Sequence, residues 1–244
     1  MKKNLQDIVR STSGIEFSVV RVEGTDKETK YQSTSDDRTV IMNATTSDPV
    51  EDFKGIFGLS NLGLLSGLAG SKSFKGDDGT VTMKREKRDN KEVPISIVFD
   101  NDAGMHATYR LMSETAIPAQ PKFAGTTYVI EIDEPPRQKI NEFSEMAGLY
   151  SAQETKFTPK VIDNHLIFAI GEENSASHSA SVLFSKDVGK GYDGGFAWPI
   201  DQVLTVLKLA DSGKTNIALS NDGILKIDID TGIANYEFLF PGHT

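Results

Sequence analysis

The same order of elements occurs twice in this chain. Apolar residues at helical spacing begin near Lys2, Gly58, Pro135 and Pro199, with β-rich runs at matching places between them. The halves are offset by roughly 130–140 residues, and same-order repetition without strong sequence identity indicates a duplicated domain. The break between them is Thr115-Ala116-Ile117-Pro118-Ala119-Gln120-Pro121. Two prolines so close forbid a central strand or helix and favour an extended connector. The expected organisation is therefore a domain over 1–114, a connector over 115–122 and a second domain over 123–244. Each half is long enough to bury its own core.

In the first half, Leu5, Ile8 and Val9 predict an amphipathic helix from Lys2 to about Thr12, ended near Gly14. Strands are predicted over Ile15 to Val20 and Thr39 to Asn43, with a polar hairpin or loop from Glu23 to Asp37. Leu59, Leu62, Leu64, Leu65 and Leu68 form a second helical stripe. Its glycines, Gly58, Gly63, Gly67 and Gly70, each cost up to ~1 kcal/mol against alanine, so packing must hold that helix. Gly76-Asp77-Asp78-Gly79 reads as a hairpin turn into Thr80 to Met83, and Ile95 to Asp100 and Met105 to Met112 as strands.

The second half predicts a strand from Tyr128 to Ile132 and a helix opened by Pro135-Pro136, with Ile140, Phe143, Met146, Ala147 and Tyr150 on its apolar face. A hairpin over Lys160 to Ile170 turns at Asp163-Asn164, and Ala180 to Phe184 is a strand. A helix from Pro199 carries Ile200, Val203, Leu204, Leu207 and Leu209 and ends near Asp211-Ser212-Gly213. Three strands close the chain, over Asn216 to Leu219, Ile224 to Asp228 and Asn235 to Phe240. Their turns are Asn221-Asp222-Gly223 and Asp230-Thr231-Gly232. Short helices with hairpin-linked antiparallel strands give an α+β class, not a βαβ fold.

Catalytic and metal chemistry find little support. The 244 residues contain no cysteine, which excludes disulfide scaffolds, zinc ribbons and cysteine nucleophiles. Gly189-Lys190-Gly191-Tyr192-Asp193-Gly194 has the G-x-G-x-x-G form, but it leads into Phe196-Ala197-Trp198 and not directly into a helix, so a loop is expected. His106, His165, His178 and His243 lack metal-ligand spacing. Asp100-Asn101-Asp102-Ala103-Gly104 lacks the third ligand and distal Glu of a calcium loop. Asp228 and Asp230 share a strand face, which reads as solvated. No G-x-S-x-G elbow occurs. The expectation is a non-enzymatic protein without cofactor or metal. The start at Met1-Lys2-Lys3 shows no signal-peptide core, and no apolar run approaches the ~20 residues of a membrane span, so a cytoplasmic location is expected.

Net charge is −9, which argues against a nucleic-acid partner unless the bases are grouped. Lys84-Arg85-Glu86-Lys87-Arg88-Asp89-Asn90-Lys91 is grouped, and its ordinary reading is a solvated hairpin. Lys2, Lys3 and Arg10 on the first helix, and Arg137 and Lys139 on the third, must face away from the apolar sides. Placed around a channel, they would give a positive lining despite the negative total.

Phe53-Lys54-Gly55-Ile56-Phe57-Gly58-Leu59-Ser60-Asn61-Leu62-Gly63-Leu64-Leu65-Ser66-Gly67-Leu68 resembles the segment entering the second helix of DNA sliding clamps of T-even-type bacteriophages. Phe196-Ala197-Trp198-Pro199 and the closing Ile233 to Phe240 strand resemble the C-terminal half of the same family, which is related to the proliferating cell nuclear antigen. The resemblance implies two tandem clamp-type domains, with helices on the inner face of a ring and antiparallel sheets outside. Two domains per chain and six per ring imply a homotrimer around duplex DNA, serving a DNA polymerase and loaded by an ATP-driven clamp loader. Lys2, Lys3, Arg10, Arg137 and Lys139, with Lys72 and Lys208, would then touch phosphates without reading bases. Subunits would pair edge strands over Met105 to Met112 and His178 to Phe184, through Tyr109, Leu111, Ser181 and Leu183. A partner peptide would lie against Val40, Ile41, Met42, Ile117, Pro118, Phe238, Phe240 and Pro241. The helix from Leu59 to Leu68 has no charge, and the fourth sets Asp201 and Asp211 beside Lys208, a less basic lining than the family implies. The competing expectation is a ring-forming structural phage protein of capsid or tail. A nucleotide-binding enzyme would rest on the glycine motif alone.

Overall fold

The structure, a computed structural model, describes residues 1–76, 78–88, 90–121, 123, 125–172, 178–189, 191–209 and 214–243, the Lys75 side chain excepted. It is α+β with antiparallel sheets. The chain forms two compact units, residues 1–122 with 231–236 and residues 123–230 with 237–244. Among the described residues no helix is long and apolar enough to cross a membrane.

The first unit begins with α1 (Lys2–Thr12), then β1 (Val19–Gly24), β2 (Thr29–Thr34), β3 (Ile41–Thr46), a 3-10 turn (Glu51–Phe53) and β4 (Gly55–Ser60). It continues through α2 (Leu62–Gly70), α3 (Lys72–Lys75), β5 (Gly79–Arg88), β6 (Lys91–Asn101), β7 (His106–Arg110) and β8 (Met112–Ser113). One sheet runs β8-β4-β1-β2-β3 and another β5-β6-β7. Helix α1 forms as its periodicity predicts, burying Leu5 and Ile8 and packing on α2. The Gln6 amide also donates to the Ala69 carbonyl of α2 at 3.1 Å.

Three sequence expectations change here. First, the strand expected over Ile15 to Val20 begins only at Val19, as β1. Of the two alternatives for Glu23 to Asp37, the structure has the hairpin, from β1 to β2, and β2 turns Thr29, Tyr31 and Ser33 inward. The Ser33 and Thr29 hydroxyls have local partners: Ser33 Oγ donates to the Val19 carbonyl at 2.7 Å, and Thr29 Oγ1 accepts the Val50 N–H at 2.9 Å. A strand can bury polar residues when such partners exist. Second, Gly58 and Leu59 belong to β4 and not to a helix, pairing with Arg21 and Val20. A Cβ at Gly58 would stand 3.0 Å from both Met112 Cβ and Val19 Cγ1, so close sheet packing accounts for that glycine. The helix opens only after Asn61, which sits at φ 53° and accepts the Leu64 N–H at 3.3 Å as its cap. Third, the Gly76 to Gly79 turn joins the short α3 to β5 and not two strands; Asp77 within it lies outside the described residues.

The second unit holds β9 (Tyr128–Asp133), α4 (Arg137–Tyr150), β10 (Lys156–Ile162), β11 (His165–Ile170), β12 (Ala180–Ser185), β13 (Trp198–Pro199), α5 (Ile200–Leu209), β14 (Lys214–Ser220), β15 (Ile224–Asp230) and the end of β16 (Ala234–Pro241). Its sheets run β12-β11-β10-β13 and β16-β15-β14-β9. The β10–β11 turn is at Asp163-Asn164, with φ 51° and 65°, the left-handed pair that a tight hairpin needs. Helix α4 buries Ile140, Phe143 and Ala147 on an aromatic core of Phe157, Phe168, Phe184 and Trp198. The expected end of α5 at Asp211 to Gly213 lies outside the described residues.

Candidate nucleic-acid interface

The helices carry the expected bases, but not all of them are available. Lys3 and Arg10 are exposed and lie seven residues apart on α1, which places them two turns apart on one side. Lys2 is half-buried; its ammonium donates to the carbonyls of Gly76 at 2.9 Å and Gly79 at 3.4 Å, so it fastens α1 to the turn before β5. Lys72 is exposed at the start of α3, and Lys208 is exposed in the last turn of α5. On α4, Arg137 is exposed, and Lys139 is held at 2.6 Å by Glu142, which also accepts from the Gln138 amide at 2.8 Å. These two bonds, Lys139 first, hold the Glu142 carboxyl below its usual range. Helix α2 has no charge, and its exposed side is Gly63, Leu64, Ser66, Gly67 and Gly70.

Sequence reading missed Asp7. It lies on α1 yet is 5% exposed, accepting hydrogen bonds from Tyr236 Oη at 2.8 Å and Thr231 Oγ1 at 3.1 Å. Burial pushes its carboxyl up, against those two bonds and the Arg10 charge. The signal was weak: an acid one residue before Ile8 reads as helix surface until the closing strand is placed beside it.

The expected partner-peptide wall needs correction. Val40 and Met42 are fully buried in the first unit, and Phe238 and Phe240 in the second, so these four are core. Alternation along β3 turns Ile41 outward, and Ile41, Ile117 and Pro241 are half-buried while Pro118 is exposed. Beside the connector, within the first unit, lies a groove of about 430 Å³ bounded by Pro118 to Pro121, Val19, Thr34, Asp36 and Arg38. Thr34 Oγ1 donates to Gln120 Oε1 at 3.0 Å and ties the connector to β2. Polar neighbours to a proline-bearing connector were not legible from apolar runs.

The expected pairing strands occupy sheet edges: β7 ends the β5-β6-β7 sheet and β12 ends the β12-β11-β10-β13 sheet. Tyr109, however, is a core side chain, 2% exposed, with its hydroxyl donating to the Ser60 carbonyl. Of the others, Ser181 is exposed, and Leu111 and Leu183 are half-buried.

The remaining motifs fall in turns and loops. Gly189 to Gly194 has no regular structure among its described residues; Asn221 holds it by accepting the Asp193 N–H at 3.0 Å and donating to the Gly191 carbonyl at 2.8 Å. His106 Nδ1 lies 2.6 Å from Asp100. Among the described residues no group of three or more His, Asp or Glu could hold a metal ion.

No family model matches the chain, and no curated protein matches it. A solved structure does: the PCNA chain in "C-terminal region of FEN-1 bound to A. fulgidus PCNA". The likeness covers 100% of this chain and 96% of that one, with a TM-score of 0.68 and 11% identity. At that identity it shows the fold: a PCNA-like clamp fold.

Proposed function

We propose that this chain is a sliding clamp, a ring subunit that encircles duplex DNA and tethers the replicative DNA polymerase as a processivity factor. The observation that carries the reading is the likeness to a PCNA chain over 100% of this chain and 96% of that one, TM-score 0.68. On this reading the protein is a scaffold and not an enzyme. The edge positions of β7 and β12 support a closed homotrimer, since among the described residues each pairs with a strand on one side only and a neighbouring subunit can satisfy the other. Lys3 and Arg10, exposed on one side of α1, suit phosphate contact without base readout. With the hold on DNA topological, few such contacts suffice. An ATP-driven loader would open the ring, and partner proteins would bind beside the connector. The segments Phe53 to Leu68 and Phe196 to Pro199 favour a clamp of the T-even phage type.

The test is primer extension with the cognate polymerase and loader on singly primed template. Longer products in the presence of this chain are expected; no lengthening with a correct partner pair would sink the reading. Light scattering at micromolar concentration should give the mass of three chains. A structural phage ring would pass the second test and fail the first.

A further inference from the structure

Charge is unevenly placed in this acidic chain. Net charge is −9, yet the stretch from Lys84 to Glu92 holds Lys84, Arg85, Lys87, Arg88 and Lys91 against three acids. Strand β5 alternates, with Thr82, Lys84, Glu86 and Arg88 exposed and Val81, Met83 and Arg85 half-buried. The register sets Lys84 opposite Ser96, Ser96 opposite Arg110, and Arg88 opposite Lys91. Paired positions share a face, so Lys84, Arg88, Lys91 and Arg110 all stand on the outward side of the β5-β6-β7 sheet. With strands ~4.8 Å apart and ~3.4 Å per residue, the four bases fall within a patch of roughly 10 by 14 Å.

Little on that face neutralises them. Glu86 is taken by Arg88 at 2.8 Å, and Asp100 by His106 at 2.6 Å. Among the described residues no carboxylate pairs with Lys84, Lys91 or Arg110. Arg88, directly opposite Lys91, is itself compensated by Glu86, so the charge offered to a polyanion is that of Lys84, Lys91 and Arg110. The ribbon is also held in place from behind: Arg85, on the other face, donates to the Asp52 and Lys54 carbonyls at 2.9 and 2.8 Å.

We propose that the outward face of β5-β6-β7 is a second surface for the phosphates of duplex DNA, separate from the bases of α1 and α4. The chemistry fits backbone contact. Lysine and arginine stand beside the hydroxyls of Thr80, Thr82 and Thr108, and the face carries no Phe, Tyr or Trp on which an unstacked base could lie. The choice of DNA as the polyanion rests on the clamp reading.

The test is anisotropy of a labelled linear duplex, without loader, over about 50–200 mM salt. Lys84→Ala, Lys91→Ala and Arg110→Ala are combined and compared with Lys3→Ala combined with Arg10→Ala, circular dichroism confirming both folds. Three lost phosphate contacts at ~0.9 each should make the log–log salt slope shallower by about 2–3. Lys84→Arg with Lys91→Arg should keep the wild-type slope. An unchanged slope in the triple alanine variant overturns the proposal. So does displacement of the duplex by poly-glutamate as effectively, charge for charge, as by unlabelled duplex, which would assign the face to an acidic polypeptide. The clamp reading fails separately: a wild-type chain that does not lengthen primer extension, beside a slope change in the triple variant, leaves this surface standing and removes the clamp.

Discussion

The two units follow one plan, but their cores are built from different chemistry. In the second, Phe168 stacks on Phe184 with centroids 4.1 Å apart and meets Phe157 at 4.7 Å and Phe143 at 5.1 Å. Trp198 adds one polar contact, its indole N–H donating to the Phe240 carbonyl at 2.7 Å. In the first unit the aromatic rings are spaced more widely, Tyr31 to Phe53 at 6.4 Å and Tyr31 to Tyr236 at 6.5 Å, around a buried carboxyl. That core depends on Asp7 accepting from Tyr236 and Thr231. The contrast teaches that the fold requires a helix stripe over sheet alternation, and leaves open whether rings or a polar network fills the space between.

The largest effect should come from the ring core. Phe168→Ala removes a side chain 1% exposed that touches three other rings, and cavities of that kind cost about 3–5 kcal/mol. Trp198 is the only tryptophan, so its fluorescence during denaturant unfolding reports on this unit directly. A loss below about 1 kcal/mol would mean that the rings close over the gap and that the stack is not what holds the unit.

The polar core makes a smaller and pH-dependent prediction. Asp7→Ala removes from a buried site the carboxyl that accepts from Tyr236 and Thr231 and should cost about 1–3 kcal/mol. Asp7→Asn keeps an acceptor and removes the charge. Because burial raises the Asp7 carboxyl, its stabilising contribution is complete below the ordinary value of 3.8 and is lost as pH rises through the raised one. Asp7→Asn should therefore melt above the wild type at neutral pH and lose that advantage in acid. An advantage that persists unchanged below pH 3.8 would mean that the carboxyl is not the cause.

How much of this was legible in the sequence follows from the same contrast. Helix α1, the Asp163-Asn164 turn and the closing strands were readable because one local period or one turn type fixes each of them. The choice between hairpin and loop at β2 was not, since Tyr31 between polar residues looks solvated until the Val19 carbonyl and the Val50 N–H are brought to its hydroxyl-bearing neighbours. Gly58 and Leu59 read as helix because Leu62 to Leu68 continue their pattern; the Asn61 cap that separates them depends on a left-handed backbone. For the site, sequence located the bases but could not show their partners. Lys139 and Lys3 look alike in a string of letters, and only packing and side-chain geometry separate them.

The last prediction sharpens that difference between α1 and α4. Lys139 is compensated by Glu142 at 2.6 Å, whereas Lys3 stands exposed. The lowered Glu142 carboxyl stays ionised above its usual range near 4.5, and its pairing is lost only as pH falls through the lowered value, so Lys139 remains neutralised at neutral pH. Glu142→Gln should free the Lys139 ammonium and steepen the DNA salt slope by about 0.9, one added phosphate contact. Lys139→Ala should change the slope little, whereas Lys3→Ala should flatten it by the same ~0.9. Because the pair is at the surface, the melting midpoint should stay near that of the wild type. Equal flattening by Lys139→Ala and Lys3→Ala would show that the pair opens on DNA, and that α4 contributes as much positive charge as α1.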